Sequence, residues 1–265
     1  MSRIETAFQQ LKRDGKKALI PFFTAGDPSP VLTVPMMHAL VDAGADILEL
    51  GVPFSDPMAD GPTIQRSSER ALAHRVGLKD ILGMVATFRK TNATTPVVLM
   101  GYANPIEAMG YENFASQAQT AGVDGVLTVD YPPEECGEFL ACLAQHKLDP
   151  IFLLSPTSLD TRVAAVAQAA RGFVYYVSLK GVTGAGNLDL SAVKFRLAQL
   201  RTQISLPIGV GFGIRDGGMA KAMAEFSDAV VIGSRIVQEI ENTPADQAVA
   251  RVGALVKSFR SAMDS

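Results

Sequence analysis

The chain has 265 residues, is 48% hydrophobic and carries a formal net charge of −3. That is enough apolar material for one large core, and an α/β barrel of this length is normally one domain. No basic stripe speaks for nucleic acid or an anionic membrane surface, no run approaches 18 consecutive apolar residues, and the polar first segment MSRIETAFQQLKRDGKK lacks the apolar centre of a signal peptide, so a cytoplasmic location is expected.

Residues 2–13 read as an amphipathic helix. Short apolar runs then alternate with helical patterns. Strands are expected at 18–24, 46–51, 96–101, 125–129, 150–155, 173–179, 207–212 and 229–233. Their interiors are apolar on both faces, as in parallel strands covered by helices. The helix-to-strand joints DAGAD, TAGVDG and EFSDA repeat a theme, and Gly44 and Gly122 suit the left-handed position that ends a helix. No linker divides the chain. Eight such units predict a single-domain (β/α)₈ TIM barrel over 1–265 with an extra N-terminal helix closing its bottom; an open doubly wound sheet is the alternative.

In a barrel the chemistry lies at the C-terminal ends of the strands. His38, His74 and His146 all fall on expected helices, which argues against a histidine metal site or a Ser-His-Asp arrangement. Lys180 is the lysine nearest a strand end, but its glycine-rich loop does not offer the desolvated pocket a Schiff-base lysine needs. Cys136 and Cys142, six apart on an expected helix, read as neutral thiols.

Carboxylates remain. Asp46 belongs to a helix–strand joint, where solvation or capping accounts for it, and Asp56 suits a loop-stabilising Asx role. Asp60 precedes Gly61 and Pro62, so it reads either as a helix cap or as a site residue. Glu49 interrupts the apolar run ILELG. Strand alternation points it opposite to Leu48 and Leu50, into the barrel. Burial there raises its pKa into the range where a carboxyl carries protons both ways near neutrality; a stabilising arginine partner is the alternative.

GVGFG (209–213) resembles a dinucleotide fingerprint only weakly. In a barrel, the loops after the seventh and eighth strands commonly bind phosphate. Gly213 is expected to open one helix, and Gly233 with Ser234 another, each presenting free amides to an anion; GVTGAG (181–186) could close over the same place. Phe22, Met100, Leu127 and Phe212 supply apolar walls for a flat group on a phosphorylated chain.

The chain resembles the tryptophan synthase alpha subunit family through LELGVPFSDPMADGPTIQ (48–65), GYANPI (101–106), GVDGVLTVDYPPEE (122–135), YYVSLKGVTGAG (175–186) and PIGVGFGI (207–214). The resemblance implies retro-aldol cleavage of indole-3-glycerol phosphate to indole and glyceraldehyde 3-phosphate. It implies Glu49 as general acid/base and Asp60 on the indole N–H. It places phosphate on Gly184, Gly213, Gly233 and Ser234, and the indole among Phe22, Ile64, Met100, Leu127 and Phe212, with Tyr175 ordering the site. Loops 53–60 and 179–188 would move, and Thr183 would meet Asp60 on closure. No cofactor is implied in this chain; pyridoxal phosphate is implied on a partner beta subunit that receives indole in an α₂β₂ heterotetramer. A different class of reading is a non-catalytic phosphate-binding barrel that activates a partner.

Overall fold

The computed structural model describes residues 1–178, 189–211 and 213–265. In chain order the elements are α1 (Arg3–Arg13), β1 (Ala18–Thr24), α2 (Pro30–Asp42), β2 (Leu48–Gly51), α3 (Pro62–Ala73), α4 (Leu78–Arg89), β3 (Val97–Gly101), α5 (Ala103–Met109), α6 (Tyr111–Ala121), β4 (Gly125–Thr128), α7 (Gly137–Gln145), β5 (Asp149–Leu154), α8 (Asp160–Ala169), β6 (Val174–Val177), α9 (Leu190–Leu200), β7 (Ile208–Gly211), α10 (Gly217–Ala224), β8 (Ala229–Ile232), α11 (Ser234–Glu241) and α12 (Ala245–Met263). The strands pair in parallel in the order β1 to β8, and β8 closes on β1. The eight expected strands are all present, and closure overturns the open-sheet alternative.

Strand alternation sorts the apolar residues into two cores. Leu48 and Leu50 face outward into the layer between sheet and helices. Ile20, Ile47, Val98, Leu127, Ile151, Tyr175 and Val231 face inward and fill the barrel. α1 plugs the bottom with Ile4, Phe8 and Leu11; the Phe8 and Phe173 rings lie 5.9 Å apart.

The recurrent joint motif has a common structure. Asp46, Asp124 and Asp228 each precede a strand and accept an amide at the start of the neighbouring strand: from Leu19, the second residue of β1, at 2.8 Å, and from Val97 and Ile208, the first residues of β3 and β7, at 2.8 and 2.9 Å. Each also takes an arginine: Arg260 at 3.2 Å on Asp46, Arg89 at 2.7 Å on Asp124 and Arg201 at 2.8 Å on Asp228. Asp46 is therefore a strand-end acceptor in an ion pair, not a solvated or helix-capping residue. Gly44 and Gly122 have φ of 99° and 89°. A Cβ on either would run into the stem of that same Arg260 or Arg89 at 2.6 or 2.8 Å, so glycine is needed twice over.

Other expectations shift by a residue or more. His74 and His146 are the C-caps of α3 and α7 rather than helical residues. Cys136 is the N-cap of α7, ahead of the helix that carries Cys142, and both thiols are free. Among the described residues no helix is long and apolar enough to cross a membrane.

Candidate active site

Glu49 pairs in register with Phe22 of β1 and Val98 of β3. Its side chain therefore enters the barrel near its C-terminal mouth. It is 1% exposed, and its Oε1 has no hydrogen-bond partner among the described residues. The stabilising-arginine alternative finds no support there. Burial alone pushes its carboxyl up to about 8. A buried polar atom without a partner is costly, and its persistence marks a place kept for chemistry rather than stability.

Around it the barrel is apolar. The buried Tyr175 phenol is held well above its ordinary pKa, by burial first and then by the neighbouring Glu49 charge. Its hydroxyl lies against the backbone of β7, because residue 211 is glycine; a Cβ there would overlap that oxygen. Similarly, a Cβ at Gly51 would meet the Phe22 ring at 2.7 Å. The two glycines give the two aromatic side chains their room.

Asp60 arrives on the loop that follows β2. It does not cap α3: Gly61 is the N-cap, Pro62 opens the helix, and no side chain bonds the cap. The Asp60 carbonyl accepts from the Gln65 side-chain amide at 2.8 Å, and Asp60 lines the cavity. Burial lifts that carboxyl to about 6, and a hydrogen bond from the Tyr102 hydroxyl pulls it partly back. The same Tyr102 oxygen accepts the Ala59 amide at 3.0 Å, and its ring stacks on Phe54 with centroids 5.2 Å apart. Asp56, by contrast, takes the Ser55 hydroxyl at 2.5 Å within its own loop.

A further part of the mouth is built by the segments after β7 and β8. Gly213 has φ of 76°, a conformation that suits glycine. It does not open a helix, as its sequence suggested. Asp216 accepts the Met219 amide at 2.9 Å and starts α10 at Gly217, four residues later. Gly233 is the N-cap of α11 and has no capping side chain, so the first-turn amides of α11 are free of one.

These groups enclose one cavity of about 500 Å³. Phe22, Glu49, Asp60, Ile64, Met100, Tyr175, Gly213, Gly233 and Ser234 all line it. Leu127, in register with Met100, is fully buried in the barrel interior and is not among the residues that line the cavity. Thr183, Gly184 and Phe212, with Lys180 and loop 179–188, lie outside the described residues. Sequence reasoning missed Arg215, Arg235 and Gln238, and placed Tyr102 with Met100 at the end of the third strand without giving it a role. A larger concavity of about 900 Å³ opens at the other end, beside α1. Its size is outweighed by position, because the bottom face of a barrel serves stability rather than chemistry. No group of three or more His, Cys, Asp or Glu among the described residues is placed to hold a metal ion.

Fold and cavity together define a class: a (β/α)₈ barrel enzyme whose mouth brings two pKa-raised carboxyls into one cavity with Gly213, Gly233 and Ser234. A sequence model described as "Tryptophan synthase alpha chain" matches residues 8–264. The chain belongs to that family. It is 64% identical to the tryptophan synthase alpha chain of Nitrosomonas europaea, over 100% of this chain and 96% of the relative. The structure is similar to that of tryptophan synthase subunit alpha from Legionella pneumophila, with a TM-score of 0.93, 47% identity, and 100% and 99% of the two chains covered. It also matches a chain of tryptophan synthase from M. tuberculosis in an aminoacrylate-bound form, with a TM-score of 0.89, 34% identity, and 99% of this chain and 100% of that chain covered.

Proposed function

We propose that this chain, a single barrel domain, cleaves indole-3-glycerol phosphate to indole and glyceraldehyde 3-phosphate, with Glu49 and Asp60 as its catalytic residues. The observation that carries the assignment of roles is the buried Glu49 carboxyl, without a partner on Oε1 among the described residues, in the same cavity as Asp60, Gly213, Gly233 and Ser234.

The proton inventory needs one group that both gives and takes. Protonated Glu49 delivers its proton to indole C3, forming an indolenine whose C=N⁺ accepts electrons. Glu49, now a carboxylate, removes the proton from the glycerol hydroxyl at the carbon attached to C3. The bond from C3 to that carbon breaks, its electron pair returns to the ring, and the carbon becomes the aldehyde. The net change moves one proton from hydroxyl to C3 and leaves Glu49 protonated. A pKa of about 8 leaves the resting group protonated at neutral pH. Asp60, at about 6, is ionised there and stabilises the positive ring nitrogen. Ring binding falls to Phe22, Ile64 and Met100 of the cavity wall, and by resemblance to the family also to Leu127 and Phe212. Tyr175 orders the pocket over Glu49. Phosphate rests on the amides of Gly184, Gly213, Gly233 and Ser234 and the Ser234 hydroxyl.

The family points to a beta subunit as partner. In the reading offered here the two form an α₂β₂ heterotetramer in the cytoplasm, pyridoxal phosphate belongs to the beta subunit, and indole passes to it. The test is release of glyceraldehyde 3-phosphate from indole-3-glycerol phosphate, with and without a beta subunit. Weak release alone and a large increase with the partner support the reading; binding without release under either condition overturns it in favour of a non-catalytic barrel.

A further inference from the structure

We propose that Arg215 and Arg235 form a cationic rim at the β7–β8 side of the cavity that captures the substrate's phosphomonoester dianion and fixes which end of the substrate enters first. The proposal rests on the assignment of this cavity to a phosphorylated indole substrate.

Both arginines line the same cavity as Gly213, Gly233 and Ser234. Arg215 stands two residues past Gly213, on the turn before α10. It is exposed and has no hydrogen bond or ion pair with any described residue. The acid beside it, Asp216, is already occupied in capping α10. The guanidinium is therefore not neutralised by its neighbour.

Arg235 occupies the first turn of α11, where the helix dipole disfavours a cation. One of its nitrogens bonds Glu239 at 2.9 Å, one turn further on. That pair holds the stem along α11 and leaves further N–H donors of the guanidinium unused. A dianion at Gly233 and Ser234 would remove the dipole conflict and satisfy those donors together.

The acidic residues lining the cavity, Glu49 and Asp60, belong to β2 and the loop after it. The carboxyls of the cavity thus come from β2 and its loop, and the two arginines from the segments after β7 and β8. Backbone amides bind an anion at contact distance, whereas guanidinium charges act over about a Debye length and steer its approach. At neutral pH a phosphate approaching the ionised Asp60 is repelled and one approaching the two arginines is drawn in.

The test measures affinity for glycerol 3-phosphate and, separately, for indole, in the full chain carrying Arg215→Gln, Arg235→Gln or both. Each single change should weaken glycerol 3-phosphate roughly 3- to 10-fold at low ionic strength, with a larger loss in the double variant and no matching loss for indole. Arg215→Lys should recover part of the affinity. The gap from wild type should narrow as salt rises. Unchanged glycerol 3-phosphate affinity in the double variant, or equal weakening of both probes, would overturn the rim. Because these are binding measurements, they stand whether or not the chain cleaves its substrate. A wild type that binds glycerol 3-phosphate without cleaving indole-3-glycerol phosphate defeats the lyase reading, and the arginine comparison still decides this one.

Discussion

The Tyr102 hydroxyl donates to the Asp60 carboxyl while its oxygen accepts the Ala59 amide at 3.0 Å. One phenol at the end of β3 thus ties down both the loop that follows β2 and the carboxyl that loop delivers. Removing the hydroxyl in Tyr102→Phe leaves the buried ring and its stacking on Phe54 in place. It deletes the one interaction that lowers the Asp60 pKa. The acid limb of kcat/KM against pH should move upward from about 6. The loss should be largest at pH 6, roughly 3- to 10-fold, and shrink toward pH 7.5. A pH profile that only scales down, without moving, would mean that Tyr102 does not act through Asp60.

In the free enzyme the profile should be bell-shaped. Asp60 must be ionised, which sets a rise near 6, and Glu49 must be protonated to deliver its proton, which sets a fall near 8. The residual activity of Asp60→Asn should lose the acid limb and keep the alkaline one. An alkaline limb absent from the wild type would contradict the acid role of Glu49.

Glu49 also makes stability depend on pH. Its folded pKa of about 8 lies above the ordinary value of 4.5, so the folded state holds a proton that the unfolded state gives up. The stability this contributes is fully present below pH 4.5 and is lost as pH rises through about 8. Glu49→Gln removes the effect. The stability of the wild type relative to Glu49→Gln should fall by about 1.4 kcal/mol per pH unit between pH 5 and 7. Denaturant unfolding at several pH values checks it; parallel curves would place Glu49's ionised form at no disadvantage in the fold.

The bottom face should govern stability without governing chemistry. Asp124 is 4% exposed and accepts from Arg89, which is 10% exposed, as well as from Arg3 and the Val97 amide. Asp124→Ala leaves Arg89 buried and unpaired, at a cost of about 3–5 kcal/mol. The folded fraction should keep wild-type kcat, because the cavity lies at the other end of the barrel. Thermal unfolding and activity per folded molecule separate the two effects.

Gly211→Ala should act in the opposite manner. Its Cβ would overlap the Tyr175 hydroxyl, so the ring must shift toward the cavity that holds Glu49. Activity should drop by tenfold or more while β7 stays in register. Gly211→Ala combined with Tyr175→Phe should recover part of the loss, since the overlapping oxygen is gone.

The barrel and the place of Glu49 were legible in the sequence because both are local signals. Apolar runs of strand length mark the eight strands, and period two alone turns Glu49 inward from Leu48 and Leu50. The DAGAD and TAGVDG joints were visible as a motif, but their arginines lie 35 to 214 positions away for Asp124 and Asp46, and no local pattern names them. The start of α10 was misplaced because Gly213 looked like a helix opener, whereas the Asp216 side chain determines where the amides are capped. Tyr102 and Asp60 meet across the gap between β3 and the β2 loop, a contact that only closure of the barrel creates. Arg215 and Arg235 went unremarked because isolated arginines on turns carry no signal until two turns converge on one cavity.

The central claim is that one buried carboxyl shuttles the proton between the hydroxyl and C3. Single-turnover cleavage of bound indole-3-glycerol phosphate by wild type and Glu49→Gln, each with a beta subunit, tests it most directly. The account predicts a fall in the cleavage rate of roughly 10²- to 10⁴-fold, with substrate affinity within a few-fold of wild type. A Glu49→Gln chain that binds the substrate and cleaves it at the wild-type rate would contradict the account.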